Sequence, residues 1–166
     1  MISSWYMGIY KMNAVQFTAK VKESFLKYFP NGFIGSHSYS LGDKGIYFKA
    51  GLIGDVKDCF HGYRENDPLQ ITFGIYDNIK NNSDTEIEGK LIVEFQAAVF
   101  YTKPDEGSYL AMQRNKVPSR KINNVPEKVL VTLDKYFKEA RDSMKVQMDN
   151  NNIYGQERIP EKYLEL

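Results

Sequence analysis

Three segments between residues 46 and 101 place an apolar side chain at every second position. They are Ile46, Phe48, Ala50 and Leu52, then Leu69, Ile71, Phe73 and Ile75, then Leu91, Val93, Phe95, Ala97, Val99 and Tyr101. Successive side chains leave a strand on opposite sides, so a period of two marks strands with one face buried. The intervening positions carry Tyr47, Lys49, Gln70, Thr72, Tyr76, Glu94 and Gln96, a polar set with tyrosines, which faces solvent or a partner. Such a chain must build a sheet with one apolar face, and that face needs a cover.

Two segments of helical period supply it. Asn13 is a good N-cap, and Gln16 three residues on completes a capping-box pattern. Ala14, Phe17, Val21, Phe25 and Tyr28 then fall on one stripe, with Lys20, Glu23 and Lys27 off it, the last two at i,i+4. Phe29-Pro30-Asn31-Gly32 stops this helix. The second helix takes Asn124 as its N-cap, Pro126 in the first turn and Glu127 to close a capping box. Val129, Leu133, Tyr136, Phe137, Ala140, Met144 and Met148 form its apolar stripe, which fades at Asn150-Asn151-Asn152.

Weaker strand signals fill the order. His37, Tyr39 and Leu41 alternate with serines, and the turn Gly42-Asp43-Lys44-Gly45 makes a hairpin with the segment from Ile46. A polar loop spans 78–89, and a short fifth strand fits 108–114. The expected fold is α+β: an antiparallel sheet of four or five strands with an N-terminal and a long C-terminal helix packed on one face. The chain divides into an apolar, aromatic arm (1–12), one domain (13–149) and a tail (150–166). At 166 residues it can bury about two thirds of its unfolded surface and needs no metal or disulfide to hold a core.

Totals narrow the function. The 22 basic and 21 acidic residues nearly balance, whereas dedicated nucleic-acid binders carry a basic excess because phosphate contacts supply much of their affinity. One cysteine, Cys59, makes no intramolecular disulfide and no multi-cysteine zinc site. No apolar run reaches the roughly 18 residues of a membrane span. The start MISSWYMGIYK has neither the basic region nor the continuous apolar run of an export signal, so a reducing cytoplasmic location is expected.

The stretch DCFHGYREND (58–67) gathers Cys59, His61, Arg64 and two acids. Val56, Phe60 and Tyr63 stand at i, i+4 and i+7, so 55–62 reads as two amphipathic turns capped by Asp55, with Cys59 beside the stripe. Cys59 and His61 are two apart and diverge on a helix or a strand, so they make a poor nucleophile–base pair. Two histidines 24 residues apart offer no metal-ligand spacing, and no phosphate-binding glycine motif occurs. No catalytic residue, metal ligand or cofactor is therefore assigned. An enzyme with a site around His37, His61 and Arg64 is kept as the third reading.

Two binding features stand out. Arg114, Lys116, Arg120 and Lys121 put four cations into eight residues ahead of the second helix, with Lys128 in its first turn. A basic loop leading to a helix N-terminus can grip an anion, which makes RNA or single-stranded DNA the second reading, with Tyr47 and Tyr76 available to stack on bases. The favoured reading is a small non-catalytic protein acting by contact with a protein partner. Its contacts are expected from Trp5, Tyr6, Tyr10, Tyr47, Tyr76, Tyr154 and Tyr163, since tyrosine and tryptophan anchor interfaces, and the terminal arms also suit homo-oligomerisation. A composition rich in Asn, Lys, Ile and Tyr suits an AT-rich genome. From composition alone, a phage or mobile-element accessory protein acting on a host system is expected.

Overall fold

In the computed structural model, five strands follow one another across one antiparallel sheet in the order they hold in the chain. The structure describes residues 12–38, 45–52, 69–76, 86–102 and 112–151. Helix α1 (Ala14–Tyr28) precedes β1 (Phe33–Ser38), β2 (Gly45–Gly51), β3 (Leu69–Tyr76), β4 (Leu91–Thr102) and β5 (Met112–Asn124), and helix α2 (Pro126–Asn151) closes the order. Each strand is antiparallel to the next, so β1 and β5 are the outermost of the described strands.

The capping box at α1 forms as its sequence implies. Asn13 Oδ1 accepts from the Gln16 backbone N–H at 2.8 Å, and Gln16 Oε1 accepts from the Asn13 N–H at 3.0 Å. Ala14, Phe17, Val21 and Phe25 are buried along one face. Met12 also belongs to the core, and its carbonyl accepts from the Ile87 N–H at 2.9 Å beside an Asn13–Glu86 bridge. The folded unit therefore takes in Met12, the last residue of the expected arm.

The start of α2 differs from expectation by one residue. The helix begins at Pro126, and the Asn124 side chain accepts from the adjacent Val125 N–H at 2.9 Å, not from a donor inside the helix. The Val125 carbonyl takes the first helical bond, from Val129 at 3.0 Å. Proline at the first helical position loses no bond, because that N–H has no partner in any helix. This fixes the start where Asn124 alone did not.

Both helices cover one sheet face. Ile46, Phe48 and Ala50 of β2, Ile71, Phe73 and Ile75 of β3, and Leu91, Val93 and Phe95 of β4 are buried against them. Phenylalanine dominates this layer. Phe48 stacks on Phe73 with centroids 4.6 Å apart, and Phe137 of α2 meets Phe25, Phe73 and Phe95 at 5.6, 5.8 and 6.0 Å. Offset and edge-on ring pairs at such spacing add to the hydrophobic gain of burying the rings. Among the described residues, seven phenylalanines thus belong to this core.

The fifth strand is longer than the sequence signal. β5 takes in the whole basic segment, so the expected loop of 114–121 is a strand, paired with β4 from Leu91↔Asn124 to Thr102↔Met112. The register slips once: Phe95 pairs with Arg120 but Ala97 with Val117, leaving Pro118 and Ser119 opposite Gln96. Proline has no N–H to give a ladder and is tolerated at a bulge. The alternation signal in this segment was hidden because the extra residue breaks the period of two.

Candidate functional site

The outer face of the sheet, away from the helices, is organised by register. His37, Tyr47, Gly74, Glu94 and Lys121 align in one row across all five strands, and Lys49, Thr72 and Gln96 align in the next across the middle three. Tyr47 and Lys49 are half-buried, while Glu94, Gln96 and Lys121 are exposed. Gly74 brings no side chain to its place between Tyr47 and Glu94. The row thus presents a phenol, a gap, a carboxylate and an ammonium across three strand spacings, each about 4.8 Å.

The bulge at 118–119 divides the basic segment. Lys121 stands opposite Glu94, and beyond the bulge Lys116 and Arg114 stand opposite Ala98 and Phe100, in the same alternation as Glu94. Arg120 falls in the other alternation, opposite Phe95. Its guanidinium is ion-paired to Glu139 of α2 and lies 4.5 Å from the centroid of the Tyr136 ring, which itself rests 5.2 Å from Phe95. The hydrogen bond to Glu139 raises the Arg120 pKa above its ordinary value, against the opposing effect of burial. Arg120 thus ties β5 to the helix layer. Lys128 is exposed in the first turn of α2.

A polar cluster that the sequence did not announce joins the two helices. Asp134 of α2 accepts from Ser24 Oγ at 2.7 Å and from the Tyr28 hydroxyl at 2.6 Å, and Lys27 Nζ lies 2.6 Å from its Oδ1. Burial opposes ionisation of this carboxyl, but Lys27, Tyr28 and Ser24 together outweigh it and hold its pKa below the ordinary value. The same contact with Asp134 raises Lys27 and pushes the Tyr28 hydroxyl up. A tyrosine held protonated beside a carboxylate, and a serine that donates to that carboxylate, are not activated nucleophiles. The cluster is a clasp between helices. Each donor is more than 100 residues from Asp134 in sequence, which is why no local pattern revealed it.

Among the described residues no group of three or more His, Cys, Asp and Glu side chains could hold a metal ion, and no helix is long and apolar enough to cross a membrane. His37 occupies its register position in β1 opposite Tyr47, and Tyr76 its position opposite Gly45. Trp5, Tyr6, Tyr10, Cys59, His61, Arg64, Tyr154 and Tyr163 lie outside the described residues, as does the stretch 58–67. Comparison with protein-family models, with curated proteins and with solved structures finds no match.

Proposed function

We propose that this chain is a non-catalytic binding protein that recognises another protein through the outer face of its sheet. The observation that carries the reading is the row of Tyr47, Glu94 and Lys121 on the side opposite both helices. An aromatic anchor beside charges of both signs suits a protein surface, which offers complementary charges and a pocket for a ring. A phosphate backbone would be repelled by Glu94 at the centre of that row.

The test is a photo-activatable residue at Gln96, compared with one at Val146 of α2, in cells that express the protein naturally. One protein should be captured from position 96, with capture lost in Tyr47→Ala and in Glu94→Lys. Equal capture from both positions, or capture indifferent to both substitutions, would remove the sheet face from consideration.

Nucleic acid is the second reading, favoured by the bulge that brings positions 114, 116 and 121 into one alternation along β5. Anisotropy of labelled RNA and single-stranded DNA at about 50 mM and about 200 mM salt tests it, since phosphate-driven binding falls steeply over that range. Binding that collapses with salt and disappears in Lys121→Glu supports this reading. Its absence at low salt leaves the cations as guards of an outer strand, since lysine and proline on such a strand discourage pairing with another chain.

A further inference from the structure

The helix layer carries a second surface, on the side away from the sheet. Along α2, Lys128, Val131, Lys135 and Lys138 are all exposed and recur at i, i+3, i+7 and i+10. That spacing lines them up along one side of the helix. On α1, Val15, Ala19, Lys22 and Leu26 recur at i, i+4, i+7 and i+11. An open groove runs between the helices, with Ala19, Leu26, Leu130 and Val131 supplying its apolar lining and Lys20, Lys22, Lys27 and Glu23 its charged one. Val131 is 72% exposed and Leu26 40%, although both are apolar residues of folded helices.

The charges around this groove are one-sided. Five lysines of the two helices are exposed and stand outside the Asp134 clasp: Lys20, Lys128, Lys135, Lys138 and Lys145. Among the described side chains of α1 and α2, only Glu23 and Asp142 are exposed acids. Of the half-buried acids, Asp134 and Glu139 are committed to the Ser24–Lys27–Tyr28 clasp and to Arg120, and Glu127 sits beside Lys128 in the first turn of α2. The near-neutral chain thus concentrates positive charge on one layer.

We propose that this groove docks an amphipathic helical segment of a protein partner, one whose apolar stripe is flanked by aspartate and glutamate. The apolar lining decides between two anionic partners. Leucine-type side chains of a helix would bury Val131 and Leu26, whereas a phosphate backbone has nothing apolar to place there. The lysine rails then select acidic flanks and set orientation and encounter rate. This surface lies on the opposite layer from the sheet face and does not depend on it.

A fluorescein-labelled model peptide of about 18 residues, five helical turns, with leucine at helical spacing and glutamate elsewhere, is titrated with the full chain. The same peptide with lysine for glutamate and a labelled oligo-thymidine serve as the other arms. The acidic peptide should bind at least about tenfold tighter than the lysine version. That preference should fall about tenfold in Val131→Glu and again in the double variant Lys128→Glu, Lys135→Glu, each of these tenfold steps corresponding to about 1.4 kcal/mol. All three positions are exposed, and circular dichroism with unchanged unfolding midpoints verifies that the variants remain folded. No binding at protein concentrations up to about 1 mM, equal binding of both peptides, indifference to Val131→Glu, or displacement of the peptide by oligo-thymidine overturns the proposal.

Discussion

The guanidinium of Arg120 lies 4.5 Å from the centroid of the Tyr136 ring and is ion-paired to Glu139 one turn along the same helix. Two adjacent cations of β5 are thereby given different tasks: Arg120 is spent on holding that strand to α2, and Lys121 stays exposed opposite Glu94.

Arg120→Ala should lower stability by about 1 kcal/mol, the sum of a partly exposed cation–π contact and a screened ion pair. Lys121→Ala should stay within about 0.5 kcal/mol of the wild type. Urea unfolding of the two variants separates them. Equal losses would mean that Arg120 does not tie β5 to the helix.

The Asp134 clasp makes stability depend on acidity in a defined direction. Its folded pKa lies below the ordinary 3.8, so its contribution is complete above that value and is lost as the pH falls below it. Asp134→Asn should cost about 1 kcal/mol near neutral pH, at the modest end because the site is partly solvated. The gap between variant and wild type should close in acid. Urea midpoints from neutral pH down through 3.8 trace that closure, and a gap independent of pH would refute the assignment.

Phe137 is fully buried where rings from α1, β3 and β4 converge. Its replacement by alanine removes an aromatic side chain and leaves a cavity the sheet cannot close, so a loss of about 3–5 kcal/mol is expected. Phe137→Leu keeps most of the volume and should lose markedly less. Denaturant unfolding that ranked leucine with alanine would show that the ring's volume is not what counts.

Gly32, between α1 and β1, has no room for a side chain. A Cβ there would sit 2.8 Å from the Gly51 carbonyl oxygen and 3.2 Å from both Phe25 and Phe29. The carbonyl belongs to the β1–β2 ladder, where Phe33 pairs with Gly51, and cannot move without disturbing it. Gly32→Ala should therefore cost about 1–3 kcal/mol, seen as a lowered Tm. A variant as stable as the wild type would show that this junction yields.

Both helices, the strands from residue 45 to 102 and the single covered sheet face were legible in the sequence. Each rests on a local rule, a period of 3.6 or 2 together with a cap or a turn, and local rules act between neighbours in the chain. Asn13 and Gln16 form their box because they are three residues apart on one turn. Asn124 shows the limit even there: proline two residues further on fixed the helix start, and the asparagine side chain bonds its own neighbour.

The basic segment 114–121 shows the larger limit. Its sequence offers four similar cations, and nothing in it says that β4 will pair with both ends across a bulge at 118–119. Only that pairing sets Arg120 against α2 and Lys121 on the outer face. The same holds for Asp134, whose partners on α1 are reached through the packing of two helices, and for the lysine-lined groove that this packing creates. The sequence by itself determined which segments fold into which element and which face of each is buried, because these follow from backbone geometry and apolar periodicity. Register across the bulge and the meeting of distant side chains were decided by the tertiary structure, because they depend on contacts that no local spacing encodes.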